Sequence, residues 1–185
     1  MLQARFHAGA SCRVCSGSLF DRRRVLGAAA AAGVAALAWR PRRASAAGGQ
    51  YEAMVLACID PRMQEPVHDY LERRRLIGQF SQFTIAGAAV GVVAPRFAAW
   101  HQAFWDNLAV SIELHRINRV IAIDHRDCGA ASLAYGIASV GTAAAETEMH
   151  RAVLAEFRRE VAARHPHLGV ETGLMALAGS LIMFG

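Results

Sequence analysis

Lysine is absent from this 185-residue chain, so all 20 of its basic residues are arginine. They are unevenly spread: eight precede Ala47 against the single acid Asp21, a net of +7, whereas the rest of the chain has twelve against fourteen acids, a net of −2. The basic excess therefore belongs to an N-terminal stretch, and the body lacks the basic face that nucleic-acid binding requires. Cysteine is scarce as well. Of four, only Cys58 and Cys128 lie beyond that stretch, which leaves them as a disulfide, inert buried thiols or metal ligands. Long hydrophobic runs are missing: the apolar stretch Val25 to Ala38 is about 14 residues, short of the roughly 20 that span a bilayer. Neither an internal repeat nor a linker interrupts the body, and an apolar content of 54% excludes a disordered chain, so one globular domain is expected.

The N-terminal stretch has an order of its own. Asp21-Arg22-Arg23-Arg24-Val25-Leu26 leads into the Ala/Gly-rich run, then the basic Trp39-Arg40-Pro41-Arg42-Arg43, then Ala44-Ser45-Ala46. This resembles a twin-arginine export signal, with an arginine pair, a weakly apolar core and a small-residue cleavage site. The resemblance implies a signal peptide over residues 1–46, a mature domain over 47–185, and a periplasmic or otherwise exported location, with membrane contact only through the signal. Cys12 and Cys15 form a C-x2-C pair, but no second ligand pair lies nearby and both would leave with the leader.

Along the body, Tyr51 to Cys58 is an apolar run stopped at Ile59-Asp60-Pro61, which predicts a buried strand. Pro66 to Leu76 has helical spacing, with Gly78 closing it, and Phe80 to Ala86 reads as a second strand running into a Gly/Ala turn. Pro95 opens a helix to about His115, with Phe97, Trp100, Phe104, Leu108 and Ile112 on its apolar side. Arg119 to Ile123 is a β-branched run of the buried parallel type, Ala143 to Arg164 another helix, and Leu168 to Phe184 one or two closing strands. Strands alternating with helices predict a single α/β domain, its central sheet mainly parallel and flanked by helices.

Two short motifs fall past strand ends, where such folds place their ligands: Cys58-Ile59-Asp60-Pro61-Arg62 and His125-Arg126-Asp127-Cys128-Gly129. In an extended chain Cys58, Asp60 and Arg62 point the same way, so a thiolate, a carboxylate and a guanidinium share one crevice. In the second motif a tight turn, with Gly129 supplying conformational freedom, brings an imidazole and a thiolate together. Cys58, His125 and Cys128 would give zinc three ligands and leave the fourth position open, as in catalytic rather than structural sites. Asp60 would orient the attacking oxygen, and Arg62 would keep Asp60 ionised and aimed.

Cys-x-Asp-x-Arg followed some 65 residues later by His-x-x-Cys-Gly resembles the pattern of β-class carbonic anhydrases. Ser111-Ile112-Glu113, Arg119 to Ile123 and Cys128-Gly129-Ala130 are similar to the helix and strand that deliver the family's histidine and second cysteine. The resemblance implies Zn2+ on Cys58, His125 and Cys128, an Asp60–Arg62 catalytic dyad, and carbon dioxide and bicarbonate as small-molecule substrates. It also implies a possible homodimer, although the family's N-terminal helices have no room here. Three departures stand out: Thr84-Ile85-Ala86-Gly87-Ala88 keeps only the Ala-Gly of the family's Arg-Asn-Ala-Gly-Asn, Asp124 replaces the usual Gly, and Arg126 replaces a small hydroxyl residue. Hydrolysis of carbon disulfide or carbonyl sulfide, or a silent zinc scaffold, would use the same ligands. His68, His101, His115, His150, His165 and His167 read as surface or helix-face residues, Arg73-Arg74-Arg75 as a solvated face, and Trp100, Phe104 and Trp105 as core or interface.

Overall fold

The computed structural model describes residues 49–185. The export-signal segment and the Cys12–Cys15 pair lie outside the described residues. Five strands form one sheet: β1 (Ala53–Ala57), β2 (Phe80–Thr84), β3 (Arg119–His125), β4 (Gly169–Met175) and β5 (Leu181–Phe184), in the order β2-β1-β3-β4-β5. The first four run parallel and β5 returns antiparallel to β4. This is the expected α/β domain with a mainly parallel sheet flanked by helices. Among the described residues no helix is long and apolar enough to cross a membrane.

β1 is buried along its whole length because both faces of the sheet are covered. Met54 and Leu56 point into the larger core, with Val120 and Ala122 of β3, whereas Ala53, Val55 and Ala57 point the other way with Ile121 and Ile123. The larger core is closed by α3 (Ala98–His115) through Phe104 and Leu108, and by α5 (Ala143–Arg164) through Val153, Leu154, Phe157 and Val161. The smaller one is closed by α1 (Gln64–Arg73) through Val67 and Leu71.

The expected long helix from Pro95 to about His115 is present, its first turn, Pro95–Phe97, being 3-10 before α3 runs on to His115. Phe104 is fully buried and stacks edge-on against Phe83 and Trp105, while Trp100, stacked on Phe97, is 39% exposed. Two short helices did not register as periodic patterns: α2 (Ala89–Val93), within the expected Gly/Ala turn, and α4 (Gly129–Tyr135). Neither is long enough to show an amphipathic repeat. At Gly91 in α2 an added Cβ would come within 2.5 Å of the Ala86 carbonyl oxygen, so only glycine lets α2 pack this closely on the end of β2.

One expectation about charge is corrected. Arg74 is not on a solvated face: it is half-buried, ion-paired with Glu171 on β4 and hydrogen-bonded to Tyr70 Oη at 2.7 Å. Arg119 reaches the same carboxylate at 3.2 Å, so Glu171 ties α1 to the sheet, and its carboxyl is held below the usual range chiefly by the Arg74 hydrogen bond.

Candidate metal centre

Register explains how residues so far apart in sequence meet. Ala57 of β1 lies beside Ile123 of β3, so Cys58, one residue on, lies alongside the last residues of β3, Asp124 and His125. Beyond His125 the chain makes one more sheet-like bond, Arg126 N–H to Met175 O at 2.9 Å, and then reverses at Asp127, whose φ is +57°. The reversal therefore falls on Asp127 and not on Gly129, which opens α4 with free space around it. Asp is among the few residues that tolerate the left-handed region. Glu146, in the first turn of α5, steadies the turn by accepting from the Asp127 N–H at 2.5 Å and from Arg126 Nη1 at 2.9 Å.

The reversal brings Cys128 back to His125 and Cys58, and the three offer ligand atoms that all lie within 4.8 Å of one another. Tetrahedral zinc with sulfur at about 2.3 Å and nitrogen at about 2.0 Å needs its ligand atoms roughly 3.5–3.8 Å apart, which a small closure satisfies. Both cysteines are free thiols and buried. The His125 ring is 1% exposed; its Nδ1–H donates to the Arg126 carbonyl at 2.8 Å, and its Nε2 has no hydrogen-bond partner. A buried nitrogen without a partner is costly unless something binds it, so the donor set fits a soft or borderline dication. A Cys58 thiolate is favoured, its pKa lowered to about 4: the Cys128 thiol donates to it, burial opposes, and His125 and the Gly87 N–H, at 3.2 Å, add support. As the donor in that pair, Cys128 is pushed up. Burial pulls His125 down, but the nearby Cys58 thiolate, with the Arg126 carbonyl and Asp60, outweighs it and the net shift is upward.

Asp60 and Arg62 meet beside this trio, by a route different from the one expected. The chain is extended at Asp60, but Pro61–Met63 is a 3-10 turn, and Asp60 caps it by accepting the Arg62 N–H at 2.9 Å. The turn carries the guanidinium back onto the carboxylate, Nε to Oδ1 at 3.0 Å and Nη2 to Oδ2 at 2.7 Å. Arg62 also binds Asp127, through Nη1 to Oδ2 at 2.7 Å and Nη2 to the carbonyl at 3.1 Å, which links the two motifs. Asp60 Oδ2 is 3.9 Å from the free His125 Nε2. The Arg62 hydrogen bond lowers the Asp60 pKa from 3.8 to about 2 against the opposing effect of burial. Folding thus depresses this pKa, so the pair contributes stability above about pH 4 that is lost as pH falls toward 2.

Sequence reasoning missed four residues around the site: Asp127, Glu146, Asp124 and His150. Two signals were available, the aspartate inside the His-x-x-Cys turn and Asp124 in place of the usual Gly before His125, but neither showed what the side chain would hold. His150 corrects the surface reading directly, being fully buried and paired with Asp124. Beside the metal ligands, Cys58 forms part of the wall of a cavity of about 180 Å3, with Met63, Val67, Leu71 and Phe80 among its lining and no arginine, aspartate or glutamate.

The family model described as "Putative carbonic anhydrase" matches residues 49–156, more than half of the chain. The chain belongs to this carbonic anhydrase family. An uncharacterized protein of Rickettsia conorii, RC0076, is 28% identical over 126 residues, 68% of each chain, and an uncharacterized protein of Rickettsia bellii is equally similar over 77% of its own length. Among solved structures the fold matches the β-carbonic anhydrase CafA of Aspergillus fumigatus at a TM-score of 0.52 and 16% identity, over 88% of this chain and 89% of that one. A tetrameric β-carbonic anhydrase of Sordaria macrospora matches at 0.51 and 14%, over 89% and 96%. At such identities these likenesses concern the fold of this carbonic anhydrase family member and not its chemistry.

Proposed function

We propose that this member of the carbonic anhydrase family binds zinc through Cys58, His125 and Cys128 and interconverts carbon dioxide and bicarbonate. The reading is carried by one observation: a buried imidazole nitrogen without a partner, beside two buried sulfurs and 3.9 Å from a carboxylate held ionised by arginine. Zinc, when bound, supplies a Lewis acid that makes water a nucleophile near neutral pH. The chain's own residues do the rest. Nδ1–H to the Arg126 carbonyl fixes the His125 tautomer and presents Nε2. Asp60 stays ionised and accepts a hydrogen bond from the attacking oxygen, which directs its lone pair at the carbon. Arg62, by holding both Asp60 oxygens, keeps the carboxylate turned to that task and away from the metal.

Purified protein spanning 47–185 should carry about one zinc per chain, as a single three-ligand site implies, and should accelerate carbon dioxide hydration in a stopped-flow pH-indicator assay. Full zinc occupancy with no hydration would favour a silent scaffold. The cavity beside Cys58, largely apolar with Gln64, His68, Gln82 and Thr84 as its polar lining, supports a second reading, hydrolysis of carbon disulfide or carbonyl sulfide, since these too are small neutral linear molecules. Sulfide release in the same preparation tests it. A homodimer is part of the proposal, checked by light scattering.

Export belongs to the proposal too, on the strength of Arg22-Arg23 and the basic residues Arg42-Arg43. A route that carries folded proteins suits thiolates that should meet zinc before reaching an oxidising compartment. Replacing Arg22, Arg23 and Arg24 together by lysine should trap the precursor in the cytoplasm, seen by fractionation; unchanged export would defeat this part.

A further inference from the structure

We propose that Asp124, braced by His150, is a positioning residue that holds the segment Gly87–Ala89 in a strained conformation so that the Gly87 N–H stays on the Cys58 sulfur. The proposal deepens the zinc reading above and rests on it for its effect on the metal. Strand alternation puts Asp124 on the same face of β3 as Val120 and Ala122, facing the larger core, where it is fully buried. One oxygen, Oδ1, accepts the Ala89 N–H at 2.9 Å, and Oδ2 faces His150 Nδ1 at 2.8 Å. His150 lies in the buried stripe of α5 with Val153, Leu154 and Phe157, and its Nε2 has no partner. Packing alone does not call for this pair, because apolar side chains of similar volume would fill the space without burying a charge or leaving a nitrogen unpaired.

What the carboxylate grips explains its presence. Ala88 has φ 50° and ψ −114°, a region that residues with a Cβ avoid. Gly87 has φ +82°, and a Cβ there would lie 3.0 Å from both Ala130 Cβ and Val90 Cβ. These two residues are pinned on either side, by Gly87 N–H to Cys58 Sγ at 3.2 Å and by Ala89 N–H to Asp124. Around those pins Ala88 N–H bonds Ile85 O, Val90 N–H bonds Gly87 O and Gly91 N–H bonds Ala88 O, each at 3.0 Å; apart from the Cys58 bond, the Asp124 bond is the one that comes from a distant side chain of the core. Without the Asp124 pin Ala88 relaxes, Gly87 readjusts with it, and the Ala86–Gly87 peptide, which carries the Gly87 N–H, turns off the sulfur. A hydrogen bond to a ligating thiolate draws charge from it, which makes the metal a stronger Lewis acid and offsets part of what two thiolates cost in acidity.

The test follows the Gly87 amide by hydrogen exchange in metal-free and zinc-loaded protein, together with zinc affinity and the sulfur-to-metal charge-transfer bands of the cobalt form. In Asp124→Ala, Gly87 should exchange at least about 10-fold faster while the amides of β1 and β3 keep their protection. Zinc affinity should fall about 10- to 100-fold, as for loss of an outer-shell partner, and the cobalt bands should shift. Asp124→Asn, which can still accept from Ala89, should restore all three. Ala88→Gly removes the strain, so Asp124→Ala in that background should change Gly87 exchange much less. Should Asp124→Ala fail to fold, that double variant should fold, and failure of both would overturn the proposal. Unchanged Gly87 exchange in Asp124→Ala, or a loss of protection spread evenly over the sheet, would also overturn it. A wild-type protein that bound no metal would sink the zinc reading, while the exchange measurement on the same sample would still decide the positioning role.

Discussion

Arg62→Ala should keep its zinc yet lose carbon dioxide hydration by about 100-fold or more, the scale on which a positioned acid–base group contributes. Arg62 engages both Asp60 oxygens and ties them to Asp127 in the facing turn. With the guanidinium gone, the carboxylate lies 3.9 Å from the nitrogen that faces the metal position, and its nearest cation becomes the metal. Asp60 would then take the fourth coordination position and shut out water, so zinc is retained while turnover falls. Asp60→Asn should lose a similar amount by a different route, since an amide neither accepts as strongly nor stays charged. Because the two groups act together, the double variant should be little worse than either single one. Near-normal hydration by Arg62→Ala, or single losses that simply multiply, would remove the dyad from the mechanism.

Cys128→Ser should bind zinc more weakly by more than about 100-fold, beyond the effect expected for an outer-shell partner, because a ligand itself is lost. The loss should reach the fold as well. A metal present at about 100 to 1,000 times its dissociation constant stabilises the native state by about 2.7–4.1 kcal/mol. A chelator should therefore lower the Tm of the wild type and leave that of Cys128→Ser where it is. The protons supply an independent check. Cys128 holds its proton tightly as donor to the Cys58 thiolate, and folding raises the His125 pKa, so zinc must displace protons on binding. Affinity should weaken as pH falls, and calorimetry in buffers of different ionisation enthalpy should count the protons released. Full zinc occupancy in Cys128→Ser would move the site elsewhere.

The trio and the dyad were legible in the chain because their spacing is short-range chemistry: ligand types two or three residues apart, next to apolar runs that end abruptly. Their support was not. Glu146 and His150 sit on the buried stripe of α5, four residues apart, where they read as ordinary polar positions on a helix. Nothing local says that one accepts the Asp127 N–H and the other faces Asp124, since both partners arrive through the pairing of β1, β3 and β4 and the packing of α5 on the sheet. The expectation that Gly129 relieves the turn failed for a related reason. Glycine is the obvious carrier of unusual conformations, but a tertiary hydrogen bond that Asp127 N–H donates to Glu146 lets Asp127 hold one.

By itself the sequence determined the layer architecture, because apolar runs of strand length alternate with helical periods and can be buried only by a sheet covered on both faces. It also determined which side chains converge at the sheet's carboxyl edge. Only the tertiary structure decided how they face one another. Parallel register set Cys58 beside His125, the turn at Pro61 carried Arg62 back onto Asp60, and the packing of α2 and α5 against β3 buried Asp124 where it grips the strained segment behind the Cys58 sulfur. Each depends on atoms far apart along the chain, whose distances no local pattern of residues encodes.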